Sequence, residues 1–156
     1  MATWEDFEQE APELAALVRA RFEAEKHHVL ATLRKDGSPR VSGTEVDFVG
    51  ADVWLGSMYG AVKARDLQRD GRFALHAHPG GEAMTGGDSK LSGRAVEVTD
   101  EAELAAFAAD LPEPPPSPFH LFRLDIQQVV HTTLEGDALW VLNWHPGRPV
   151  EKIQLH

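Results

Sequence analysis

Between Val29 and His78, two tight-turn signals divide short runs rich in Val, Thr, Phe and Leu, and the residue pattern then changes period. Lys35-Asp36-Gly37-Ser38 and Gly50-Ala51-Asp52 are breaks of the kind that join antiparallel strands. Strands are predicted over 29–34, 39–49 and 53–57. After Gly56 the alternation stops. Residues 61–69 place Val62 and Leu67 among Lys63, Arg65 and Arg69, which predicts a short helix with a cationic side. Strand pattern resumes over 72–78. A wall of hairpins interrupted by one basic helical turn leaves little choice of fold: it predicts a mainly β barrel with flanking helices and an anion site at the interruption.

The remainder of the chain fits that frame. Thr3 and Asp6 form a capping-box pattern, Pro12 suits a first helical turn, and Leu14, Leu17, Val18 and Phe22 make one stripe, so a helix is predicted over 3–26. Pro79 to Gly87 is a Gly-rich loop. Ser89 to Val98 reads as a strand with Gly93 as a bulge, and Asp100 to Leu111 as an Asp-capped helix with Leu104, Phe107 and Leu111 inward. The Pro-rich run 112–118 is a stiff spacer. Phe119 to Leu134 and Ala138 to Trp144 form a long hairpin across Glu135-Gly136-Asp137. Strands this short and this numerous, mostly hairpin-linked, predict a closed or split antiparallel barrel. Residues 1–156 are expected to form a single domain, since the 156-residue length suits one core and no internal repeat appears.

Charge narrows the partners. The chain carries a net charge of −10, which argues against nucleic acid and against anionic membranes. Residues 29–78 hold seven Lys/Arg against six Asp/Glu, a local net of +1 on an acidic background. That contrast suits a small anionic ligand better than a polymer. No apolar run approaches the roughly 18 residues needed to span a bilayer, no signal-peptide pattern is visible, and Cys is absent, so a cytoplasmic protein is expected. Ten Arg against five Lys, with abundant Ala, Pro and Asp, suggests a GC-rich bacterial genome.

Gly56-Ser57-Met58-Tyr59-Gly60-Ala61-Val62-Lys63 lacks the Gly-Lys-Ser/Thr ending of a P-loop and sits among hairpins. What remains is an anion turn: backbone N–H groups opening a short helix, Ser57, and Lys63 in the first turn, with Arg40 and Arg65 as further donors. His76-Ala77-His78 places two imidazoles on one strand face, but no third ligand has fixed spacing, so no metal is expected. Ser42 is not in a nucleophile elbow. No catalytic residue is assigned. Trp140 and Trp144 read as core, with Trp144 and Arg148 walling a planar ligand as the alternative.

These pieces, in order, resemble the pyridoxamine 5'-phosphate oxidase-like, flavin-binding split-barrel family, over about Phe22 to Arg148. The likeness rests on Leu30-Ala31-Thr32-Leu33-Arg34 with Asp36-Gly37-Ser38-Pro39, on Arg40-Val41-Ser42-Gly43-Thr44, on Lys63-Ala64-Arg65-Asp66-Leu67, and on Leu91-Ser92-Gly93-Arg94-Ala95. The resemblance implies a six-stranded split barrel, a homodimer, and a flavin or deazaflavin, FMN or F420, at each end of the subunit interface. It implies that Arg40, Val41, Ser42, Gly43 and Thr44 run beside the ring and ribityl chain, that Ser57 and Met58 touch ring or tail, and that Lys63 holds the phosphate. Lys90 falls on a strand that often supplies a polar contact, and Trp144 with Arg148 falls where a partner subunit covers the site. Val62 stands where the vitamin B6 oxidases have Arg, and the tail 151–156 lacks their basic ending, which argues against pyridoxamine phosphate as substrate. The expected activity is oxidation or reduction of another small molecule. A non-catalytic protein that binds flavin, F420 or haem on the same fold, with His76, His78 or His131 serving haem, is the alternative.

Overall fold

A computed structural model describes residues 1–155. Nine strands belong to one antiparallel sheet: β1 (His28–Leu33), β2 (Pro39–Thr44), β3 (Asp47–Val49), β4 (Asp52–Met58), β5 (Arg72–His76), β6 (Asp88–Val98), β7 (Phe119–Glu135), β8 (Ala138–Trp144) and β9 (Glu151–Leu155). Four helices flank it: α1 (Trp4–Glu10), α2 (Pro12–Glu23), α3 (Val62–Arg69) and α4 (Glu101–Ala109). The main path runs β2-β1-β5-β6-β7-β4-β3, with β8 and then β9 branching from β7. The sheet is not closed, as in a split barrel, and its nine strands exceed the six that the family resemblance implies.

The curvature follows from connectivity. β2 and β3 lie at opposite ends of the path yet are separated only by Glu45 and Val46, so the sheet must curl until its ends meet. The stretch 39–49 is therefore two strands. β2 pairs with β1, and β3 with β4. No ladder joins β2 to β3, and the barrel stays open there.

The predicted helix 3–26 also divides. Ala11 leaves the helical region at φ −141°, ψ 65°, because Pro12 disfavours a helical residue before it, and Pro12 then opens α2. The capping box at Thr3 and Asp6 is present. Leu14, Val18 and Phe22 are buried, whereas Leu17 is exposed and leaves the expected stripe. Trp4 and Phe7 pack with Phe48 and Trp144 in the main core. A smaller cluster of Val98, Phe107 and Leu121 lies under α4. β9 escaped prediction because all five of its side chains are exposed and carry no burial pattern.

The β6–β7 register shifts at Ser92/Gly93, as the sequence pattern predicts for a bulge. A Cβ at Gly93 would overlap the carbonyl oxygen of Asp125. Gly93→Ala is therefore expected to destabilise the fold by about 1–3 kcal/mol, the usual cost of overpacking a rigid site. A urea midpoint equal to wild type would contradict the bulge geometry.

Candidate functional site

The candidate site forms where β4 gives way to α3. The chain leaves β4 at Met58, turns with Ala61 N–H donating to Met58 O at 3.1 Å, and enters α3 at Val62. Ala64 and Leu67 bury one side of α3 against the barrel. Asp66 is also buried, 1% exposed, and it organises the surroundings. Its Oδ2 accepts from Thr32 Oγ1 of β1 at 2.8 Å and from Arg40 Nε of β2 at 2.7 Å, while Oδ1 accepts from Arg69 Nη2 at 2.9 Å. Burial opposes ionisation of Asp66. Hydrogen bonds from Arg40 and Thr32 and the charges of Arg40 and Arg69 outweigh it and hold the pKa below the ordinary carboxylate value.

Lys63 reaches sideways from α3, and its Nζ donates to Gly43 O on the open edge of β2 at 2.8 Å. Burial draws its pKa down, against the charge of Glu45, which raises it. Between α3 and the β1–β2 turn lies a cleft of about 480 Å³ lined by Arg34, Lys35, Arg40, Arg65 and Arg69, with Val62 and only two carboxylates, Asp36 and Asp66. A larger depression of about 590 Å³ at the other end of α3 includes Arg72, but Asp70 already pairs with it at 2.7 Å. The smaller cleft is the more cationic of the two.

β2 alternates. Arg40, Ser42 and Thr44 turn to the more buried face, and Val41 and Gly43 to the exposed one, so one ligand cannot meet all five through side chains. Val41 is 70% exposed, its neighbour Val29 is exposed too, and a Cβ at Gly43 would meet nothing within 4 Å. This outer face is apolar and open. At the end of β4, Met58 is exposed, whereas Ser57 is buried with an Oγ that has no hydrogen-bond partner among the described residues.

Residues 14–133 match the family model described as pyridoxamine 5'-phosphate oxidase. The chain belongs to that family. Similar solved structures include a pyridoxamine 5'-phosphate oxidase-related, FMN-binding protein from Nostoc punctiforme, at 16% identity and TM-score 0.67, covering 94% of this chain and 96% of that one. PhzG from Burkholderia lata, solved with tetrahydrophenazine-1-carboxylic acid, shares 19% identity at TM-score 0.62, covering 92% of this chain and 88% of that one. A heme binding protein from Mycobacterium smegmatis shares 23% identity at TM-score 0.62, covering 84% of this chain and 58% of that one. At these identities the likeness is one of fold. No curated protein matches the chain.

Of the twelve positions carried over from the family, Arg40 to Thr44 lie on β2, where Arg40 bonds Asp66 of α3 and Gly43 accepts from Lys63, Val62 lines the cleft with Arg40, and Ser57 and Met58 end β4 just before α3. Three do not join them. Lys90 lies on β6, separated from β2 by β1 and β5. Arg148 is exposed in the β8–β9 turn, near Glu10 Oε1, which accepts from Gly147 N–H. Trp144 is 0% exposed and packed on Phe7, so its ring is core, the first of the two readings of its strand, and does not wall a ligand.

Sequence reasoning missed Asp66 as the organiser of the site. The spacing Val62, Arg65, Asp66, Arg69 marks one helix stripe. A lone acid beside two arginines in that stripe was the available signal. Asp66→Ala is expected to cost about 2–4 kcal/mol, toward the low end for a broken buried pair because Arg40 and Arg69 can turn to water. The contribution is complete above about pH 4 and is lost as the pH falls through the depressed folded pKa. Equal urea midpoints at pH 7 for variant and wild type would remove Asp66 from this role.

Proposed function

We propose that the protein is a flavin-dependent oxidoreductase acting on a small molecule, with FMN as cofactor and F420 as the alternative, and with the cofactor held at a homodimer interface. Its 156 residues act as a single flavin-binding domain, soluble in a bacterial cytoplasm. No helix among the described residues is long and apolar enough to cross a membrane. The observation that carries the reading is the joining of two unlike surfaces at β2: a cationic cleft on the α3 side, and an open apolar face at Val41 and Gly43. A phosphorylated planar cofactor has those two halves. The unpartnered Ser57 Oγ adds a buried polar group that a ligand can satisfy.

In this arrangement Lys63 holds the phosphate as a point charge, and Arg40, fixed by Asp66, offers its remaining guanidinium N–H groups. The backbone and small side chains of Val41 to Thr44 lie along the ring and ribityl chain, and Ser57 with Met58 borders ring or tail. The bound flavin supplies hydride transfer, while the protein sets position, electrostatics and access. A second copy covers Val29, Val41, Met58 and Tyr59, exposed apolar residues at the same end of the barrel. Lys90 and Arg148 are contacts available from such a partner.

The alternative is storage or sensing of flavin, F420 or haem without turnover. For haem, His131 is 1% exposed and bonded to Ser89 Oγ at 2.7 Å, and His76 and His78 turn Nδ1 toward backbone carbonyls. Burial removes His131 from such a role, whereas the Nδ1 contacts of His76 and His78 leave Nε2 open, as an axial ligand needs.

Parallel titrations with FMN and F420, followed by fluorescence quenching, are expected to show micromolar or tighter binding of one. Lys63→Ala should weaken it by about 1.5–3 kcal/mol, the scale for losing a hydrogen bond to a charged group. Unchanged affinity in that variant would remove Lys63 from the phosphate site. Turnover with NAD(P)H or reduced F420 separates enzyme from binder. Sedimentation is expected to show a dimer at micromolar concentration; a monomer would contradict the interface.

A further inference from the structure

Near the anion turn, the apolar core face of the sheet carries three polar side chains on adjoining strands. Ser57 of β4 and His120 of β7 are register partners, and Glu97 of β6 is opposite Phe122, one pleat repeat from His120. His120 is 6% exposed. Glu97 Oε2, like Ser57 Oγ, has no hydrogen-bond partner among the described residues. Buried polar groups are costly, and the flavin reading accounts only for Ser57.

The contacts of His120 show what it does. Its Nε2 accepts the Gly60 N–H at 3.0 Å. An imidazole that accepts through Nε2 carries its proton on Nδ1, and Nδ1 lies 4.0 Å from Glu97 Oε1, so the carboxylate favours that tautomer. Tyr59 stacks on the ring, centroids 4.9 Å apart and planes 12° from parallel. The Arg65 guanidinium lies 5.8 Å from the Tyr59 centroid, linking the stack back to α3. Gly60 itself sits at φ +80°, a conformation that needs Gly. The hydrogen bond and the stacking of this imidazole both bear on residues 59–60, and Lys63 follows within one helical turn.

We propose that His120, with Nδ1 facing Glu97, is a positioning residue: by accepting the Gly60 amide through Nε2 it fixes the Met58–Ala61 turn, and through that turn the placement of Lys63 for an anionic ligand. The inference rests on the flavin reading for the identity of the ligand, and on the turn alone for the geometry. If His120 only filled space, an apolar side chain of similar bulk would replace it. Positioning requires an acceptor where Nε2 stands. Gln brings its side-chain oxygen to that place, Leu fills the volume without an acceptor, and Asn is polar but too short.

The test compares wild type, His120→Gln, His120→Leu and His120→Asn by FMN titration, by urea denaturation and by hydrogen exchange of the Gly60 amide in the ligand-free protein. In the Leu and Asn variants, FMN affinity is expected to fall about tenfold and Gly60 exchange to quicken about tenfold, the scale of one hydrogen bond, with Gln staying within about threefold of wild type. Affinity and exchange that are the same in Gln, Leu and Asn would overturn the proposal. So would losses that track the urea midpoints across all three. Should Leu fail to fold, the Gln and Asn pair decides by the same criteria. Should wild type bind no FMN, the flavin reading falls and Gly60 exchange decides: protection kept by Gln and lost in Asn upholds the positioning role, and equal protection overturns it.

Discussion

The fold depends on how β7 shares its two edges. At 17 residues it is the longest strand, and β6 lines one side of it from Leu121 to Thr132. The other side is divided. β4 takes Phe119 to Arg123, and β8 takes Val129 to Glu135. Neither partner reaches Ile126, and there the backbone of Ala2 pairs in both directions, at 2.9 and 2.8 Å. The N-terminal residues thus close the split left between two diverging strands, and α1 follows directly, laying Trp4 and Phe7 into the core beside Trp144 and Phe48. A backbone gap in a buried sheet would leave N–H and C=O groups unsatisfied. Its closure by Ala2 explains why α1 sits where it does, and why Trp144 is core.

The same divergence positions the site. Because β4 pairs with β7 at the opposite end from β8, Met58 leads from Phe119 into the turn at Met58–Ala61, and α3 packs on β1 and β6 while bonding β2 through Asp66 and Lys63. Asp66 then ties helix to strands through Thr32 and Arg40. A buried carboxylate is costly alone, and it is tolerated because three donors surround it. Its consequence for binding is preorganisation: Arg40 and Arg69 are fixed by one edge of each guanidinium, leaving other N–H groups toward the cleft. Two of the five cations that line the cleft, Arg40 and Arg69, are thereby placed by satisfying one buried acid.

Local signals were legible in the sequence and non-local ones were not. The Asp36-Gly37 and Glu135-Gly136-Asp137 turns, the capping box at Thr3, the Asp100 cap and the Gly93 bulge each arise from a few adjacent residues, and each stands where expected. The break at Glu45–Val46 has no local mark. It exists because β3 finds its partner in β4 after the sheet has curled. Likewise Leu17 fits the α2 stripe by spacing but lies outside the region the barrel covers, and β9 pairs along β8 with neither face buried. For the site, the basic turn at Lys63 was legible as a charge contrast. The burial of Asp66 was not, since it depends on Thr32 and Arg40 arriving from strands more than 25 residues away.

Asp66 and His120 do complementary work on the two ends of one short segment. Asp66 fixes the body of α3 to β1 and β2 by charged hydrogen bonds, and His120 fixes the turn before α3 to β7 by a neutral one. An eight-residue helix has little intrinsic stability, since few residues repay the cost of its first turn. Held at one end only, it could pivot, and Lys63 would lose a fixed relation to β2. Held at both, Lys63 is delivered to the open edge at Gly43, where its ammonium rests on a backbone carbonyl. A carbonyl is a weaker partner than an anion, so the protein keeps the cation ordered and partly desolvated without neutralising it. That combination suits the phosphate proposed for this site, and it follows from the two anchors of α3 together.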